Sequence, residues 1–186
     1  MKTVTVRPGT LYRGCDAAWL RGALSGQIAG PYNCASDREL AQGYGQGVVA
    51  VLETVRPLRV RQEPIADRTP DVASYDARMD GVDGWRWEVG GAWHYRLKPG
   101  AARVVGVAAC GTDVRAQSGA VLRAARAWRG WRQADMAKAL GTTQPKVALY
   151  ESGGASPSFE RLLTAAAMLP VAVTMDAAPG AVIRAA

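Results

Sequence analysis

The sequence predicts an α+β N-terminal domain followed by an all-α helical bundle. Three observations carry that prediction. Residues 1–110 contain short Val-rich runs set between turn residues, the pattern of strands. After Cys110 a polar stretch, Gly-Thr-Asp-Val-Arg-Ala-Gln-Ser-Gly, interrupts the chain. Beyond it the apolar residues take up helical spacing. The expected division is residues 1–110 for the first domain, 111–118 for a linker, 119–176 for the second domain and 177–186 for a frayed tail.

In the first domain, Leu11-Tyr-Arg-Gly14, Gly47-Val-Val-Ala-Val-Leu52 and Ala102-Arg-Val-Val-Gly-Val-Ala108 read as strands. Asp37 to Tyr44 reads as a helix, with Ser36 as its N-cap and Glu39 completing a capping box. Trp85, Trp87 and Trp93 are most simply core. In the second domain Val121, Leu122, Ala125 and Trp128 fall at i, i+1, i+4 and i+7, and Phe159, Leu162, Leu163 and Ala166 at i, i+3, i+4 and i+7. Pro170-Val-Ala-Val-Thr-Met175 follows the last helix as a strand or extension. It either pairs between protomers or docks on the first domain, and the sequence does not choose.

Composition narrows the function. Of 186 residues 48% are hydrophobic and 21% charged, enough for a packed core. Lys+Arg is 23 against Asp+Glu 16, a formal charge of +7, which favours an anionic partner. Residues 1–114 hold 14 basic and 12 acidic side chains, and residues 115–186 hold 9 and 4, so the excess is C-terminal. No apolar run reaches the roughly 18 residues of a membrane span, and the first ten residues lack a signal-peptide core. A cytoplasmic protein that engages no membrane is expected. Cys15, Cys34 and Cys110 are odd in number and widely spaced, and His94 is the one histidine, so no disulfide framework and no metal site is expected.

The strongest local signal runs from Arg132 to Gly153. Met136, Ala137 and Leu140 give one helix an apolar face, and Gly141 stands where a helix would end. Thr143 suits an N-cap and Pro145 suits a first turn, where its missing N–H is harmless. Val147 and Tyr150 then point inward from a second helix, and the small Ala137 lets the two approach. Two short helices joined by a glycine turn between longer amphipathic ones make a helix-turn-helix bundle.

Residues 119–176 resemble the phage-repressor or Cro-type (XRE-type) DNA-binding domain. The resemblance rests on Leu122-Arg123, Arg126, Gly130-Trp-Arg-Gln133, Met136-Ala137, Leu140-Gly141, Val147, Tyr150-Glu151, Gly153, Pro157 and Leu162-Leu163. It implies an all-α helix-turn-helix bundle of about five helices. It implies that Gln133 bonds a phosphate at a helix N-terminus. It places Thr143, Gln144 and Lys146 at the start of the recognition helix, with Gln144 suited to an adenine edge and Lys146 to guanine or phosphate. Pro145 departs from the family, where many members carry Ser or Arg. Arg126 and Glu151 match an internal ion pair. The partner implied is double-stranded operator DNA, bound by a homodimer.

The first domain offers a second candidate. An arginine at a strand end, a serine before a helix and a later acidic residue can together hold a dinucleotide. Tyr12-Arg13-Gly14 and Tyr32-Asn-Cys-Ala-Ser36, followed by Leu40-Ala41 and Tyr44-Gly45, resemble the ADP-ribosyltransferase fold in its arginine–serine–glutamate subclass. That resemblance implies NAD as the cofactor, held by Arg13 and Ser36, with Glu88 of Trp85-Arg-Trp-Glu88 as catalytic residue. Arg86 departs from the Glu or Gln usual two residues before it, and Glu53 is a weaker alternative to Glu88. The Leu-Tyr-Arg opening is also similar to NAD-degrading toxins paired with helix-turn-helix antitoxins.

The expected function is a sequence-specific transcriptional regulator, of repressor or antitoxin type, with a ligand- or partner-binding N-terminal domain. The alternatives are an ADP-ribosyltransferase or NAD-hydrolysing enzyme carried on a DNA-binding domain, and an antitoxin-like protein that holds a toxin partner.

Overall fold

A computed structural model describes residues 2–28, 30–36, 38–42, 48–63, 76, 79–111, 113–176 and 182–185. The strands among them are β1 (Lys2–Val6), β2 (Thr10–Gly14), β3 (Tyr32–Ala35), β4 (Val48–Glu53), β5 (Leu58–Gln62), β6 (Gly84–Val89), β7 (Ala92–Leu97), β8 (Arg103–Ala109), β9 (Ala172–Asp176) and β10 (Val182–Ala185). The helices are α1 (Ala17–Leu24), α2 (Arg38–Gln42), α3 (Val114–Arg129), α4 (Gln133–Ala139), α5 (Gln144–Glu151) and α6 (Phe159–Ala167). All the strands join one sheet in the order β1-β5-β6-β7-β3-β2-β4-β8-β9-β10. Neighbours are antiparallel except β5 with β6 and β8 with β9.

The Val-rich runs coincide with β4 and β8, and the Leu11–Gly14 piece lies in β2. The helix expected at Asp37–Tyr44 is α2, shorter at Arg38–Gln42; Asp37, Gln42's successors to residue 47 and the Glu39 side chain lie outside the described residues. Trp85 and Trp87 are buried as expected of core, whereas Trp93 is half-buried.

Helix α3 begins earlier than the sequence suggested. The Asp113 carboxylate accepts from the Ala116 N–H at 2.8 Å and caps it, so residues 114–118 of the expected linker are its first turns. Their polar character reflects a cap and a close packing contact rather than a loop. Gln117, Ser118 and Gly119 are buried. Gly119 must be glycine, because a Cβ there would sit 2.4 Å from the Tyr150 carbonyl oxygen. The helix closes on Gly130 in the left-handed region, φ 67°.

Four helices, α3 to α6, form the C-terminal bundle among the described residues. Where the family resemblance implied a fifth, the chain turns at Pro170 and runs as β9 beside β8. Proline lacks the N–H a helix would need, and Val173 and Met175 are buried at alternate positions, the strand period. The bundle is therefore not wholly α, and the extension docks on the first domain. Residues 182–185, expected within a tail, pair with β9 as β10.

The two halves consequently share a core. Leu20, Ala50, Val107 and Ala109 of the first half pack with Val121, Leu122, Met136, Val147, Ala165 and Val173 of the second. Arg21 on α1 donates from Nε to the Ala127 carbonyl at 3.2 Å, a second bond to an acceptor that the Gly130 N–H also reaches in the last turn of α3. A second core of Leu11, Tyr32, Leu52, Leu58, Val60 and Leu97 lies within the first half alone. Leu122 is fully buried in the shared core. Leu122→Ala is expected to cost about 2–5 kcal/mol in urea unfolding. Because one core spans both halves, tryptophan fluorescence and far-UV circular dichroism are expected to lose their signals in one coincident transition.

Candidate nucleic-acid interface

Helices α4 and α5 are built by local chemistry. Arg132 opens α4, its backbone N–H donating to the Asp135 carboxylate at 3.0 Å. Met136 and Ala137 are buried, and Gly141 leaves the helix in the left-handed region at φ 59°. Arg161 reaches back from α6 and donates to the Leu140 carbonyl at 3.0 Å and the Gly141 carbonyl at 3.3 Å. Thr143 is the N-cap residue of α5, in extended conformation, and Pro145 sits in the first turn. The Thr143 hydroxyl makes no capping bond, so it faces outward with its hydrogen-bonding capacity unspent on the helix.

Two of the predicted contact residues, Gln133 and Gln144, belong to an unbroken hydrogen-bonded chain. Arg126 on α3 grips Glu151 at the end of α5 as a fork, 2.6 Å and 3.0 Å. Glu151 also accepts from the Gln133 amide at 2.9 Å. Gln133 in turn accepts from the Gln144 amide at 2.8 Å. The Glu151 carboxylate is buried, so its two donors replace the water it has lost. Through this chain the first side chain of α5 is fixed relative to α3. By donor count Gln144 keeps one N–H and its carbonyl oxygen for a ligand. Lys146 lies outside the chain and is exposed, as are Arg132 and Lys138 of the α4 segment and Arg129 at the end of α3. The surface presented by α4 and α5 is thus cationic and donor-rich.

On the sheet, register decides which of the first-domain candidates share a face. Tyr12 opposes Ala35, Ala35 opposes His94, and His94 opposes Trp87. These four share one face, so their neighbours Arg13, Ser36, Trp93 and Glu88 share the other. Ser36 and Glu88 are two strands apart, roughly 10 Å between backbones. They do not touch each other. The Ser36 hydroxyl accepts from the Trp93 N–H at 3.0 Å, and the Arg86 guanidinium lies 4.1 Å from the centre of the Trp93 ring between them. Arg13 donates to the Asn33 carbonyl and lies 4.4 Å over Trp19. Burial pulls the Arg13 pKa below its ordinary value. Glu53 opposes Thr10 and so faces away from Arg13; it pairs with Arg103 at 3.1 Å. Trp19 was not foreseen. The Asp16 cap that starts α1, accepting from the Trp19 N–H at 2.7 Å, was its readable signal.

The cysteines are packing groups among the described residues. All three are buried and outside any disulfide, and burial raises the Cys15 pKa to about 11 and pushes Cys34 up as well. No described helix is long and apolar enough to cross a membrane.

A family model described as a helix-turn-helix domain matches residues 117–175, from the first turns of α3 to β9. No curated protein and no solved structure matches the chain. The matched segment supports a DNA-binding regulator.

Removing Arg126 would strand a buried carboxylate. Arg126→Ala is expected to lose about 3–5 kcal/mol of stability in urea unfolding, and the double variant Arg126→Met with Glu151→Leu markedly less.

Proposed function

We propose that the protein is a sequence-specific transcriptional regulator of repressor or antitoxin type, which binds operator DNA in the cytoplasm as a homodimer through the XRE-type surface of α4 and α5. The observation that carries this reading is the chain Arg126–Glu151–Gln133–Gln144. Such a chain costs conformational freedom and spends donors. It is worth building where one amide must be held in a fixed pose for a base edge. Gln133 then meets a phosphate beside the N-terminus of α4, Thr143 bonds the adjoining backbone, and Lys146 meets a phosphate or guanine. One recognition helix reads too few base pairs for useful specificity, which favours two copies on a palindrome. The division of labour follows the expected domains, with residues 1–110 sensing a ligand or holding a protein partner such as a toxin.

Gel-shift titration against a selected operator tests this. Gln144→Ala is expected to weaken specific binding by about 1–3 kcal/mol, and Lys146→Ala to lower the salt slope by about one. Weak binding of any duplex, equal in wild type and Gln144→Ala, would sink the reading.

A second reading is favoured by the shared sheet face of Arg13, Ser36 and Glu88. In it that face binds NAD, with Arg13 on a phosphate, Ser36 bracing the site and Glu88 stabilising the cationic ribose as nicotinamide leaves. Nicotinamide release by the full-length protein, lost in both Arg13→Ala and Glu88→Gln, is the outcome this reading expects. No release and no NAD binding would leave the regulator alone.

A further inference from the structure

The outward face of α5 has an unexpected composition. Val147, Tyr150 and Glu151 are buried and mark the side of the helix turned to the protein. At 100° per residue the direction opposite to them is occupied by Pro145 and Leu149, four residues apart, with Ser152 beyond. Leu149 is 48% exposed, one of few large apolar side chains left in water among the described residues. It is not loose. The Leu149 carbonyl accepts from the Gly154 N–H at 2.9 Å, and its side chain lies so close to Gly154 that a Cβ there would come within 2.5 Å of Cδ1. The Ser152 hydroxyl is occupied in donating to the Leu149 carbonyl at 3.0 Å. Gln144 and Lys146 stand to either side of this line rather than on it.

The foremost ridge of the helix therefore offers a base pair two apolar groups and hardly a hydrogen bond. In the major groove only one base feature answers such a surface, the 5-methyl group of thymine. We propose that Pro145 and Leu149 form an apolar clamp that selects thymine in the operator, beside the base read by Gln144. Pro145, which a hydrogen-bonding residue would replace at the cost of this contact, is then a specificity element and not a loss. The inference rests on the DNA-reading proposal above. The clamp excludes cytosine at the same position because the cytosine amino group would face two apolar side chains and lose its water.

The experiment selects binding sites for the full-length protein from a randomised duplex pool. It then replaces each thymine of the consensus with deoxyuridine, which deletes the methyl group and keeps the pairing. The expected result is one thymine per half-site whose replacement weakens binding about fourfold, the weight of one buried methyl group. In Leu149→Ala that sensitivity falls to about onefold, while a mismatch at the base read by Gln144 still costs as much as in wild type. Leu149 is half-exposed, so the variant folds, and circular dichroism checks it. A consensus with no methyl-sensitive thymine, or with sensitivity unchanged in Leu149→Ala, overturns the clamp and leaves the regulator intact. A pool that yields no consensus overturns both.

Discussion

Helix α3 is buried on both sides, and the rest of the molecule is arranged around that constraint. It packs against α1, β4, β8 and β9 on the sheet side and against α5 and α6 in the bundle. A helix in that position keeps only a narrow polar stripe, because much of its circumference is covered. Its middle is accordingly small or apolar, from Gly119 to Ala125, with Arg123 the charged exception. Alanine and glycine let neighbours come close from several directions, and the backbone of α5 takes the space that a side chain at 119 would fill. The usual penalty of glycine in a helix, about 1 kcal/mol, is accepted for that contact.

The polar chain extends the same logic into the surface proposed to read DNA. Arg126 leaves α3 near its C-terminal end and ends on Glu151, so the carboxylate that organises α5 is referenced to the buried helix rather than to solvent. Gln133 and Gln144 inherit that reference through two further bonds. Rigidity thus passes from the shared core to an exposed amide, which is what selective recognition of a base edge requires.

Much of the second half was legible because its signals are local. Gly141, Thr143 and Pro145 mark the turn within five residues, and the Arg126 and Glu151 pairing follows from resemblance to a repeated pattern. The linker was misread because Asp113, Gln117 and Ser118 look like loop residues, whereas one is a cap and the others are buried under α3's neighbours. Strand β9 was legible as an extended apolar segment, but its partner, sixty-odd residues earlier in the chain, is a non-local fact that no window reveals. The same holds for Arg13, Ser36 and Glu88. Their residue types suggested a cluster, yet only the register of four strands puts them on one face, and it also puts Trp93 and Arg86 among them. Glu53 fails by parity alone, one residue out of step with the face that Arg13 occupies.

Strands β8 and β9 lie side by side and run the same way, and the whole helical bundle is the loop between them. Because the strands are parallel, the chain leaves at Ala109, the end of β8, and returns at Ala172, which stands opposite Gly106, so its two moorings lie about 11 Å apart. A module held by a single tether can swivel and adapt its pose to DNA; one moored at both ends cannot. For the proposed pair of copies on one duplex, the distance between their reading helices would be dictated by the outline of the whole protein. Operator spacing then becomes a ruler for the shape of the sheet domain, and anything that reshapes that domain changes which operators fit.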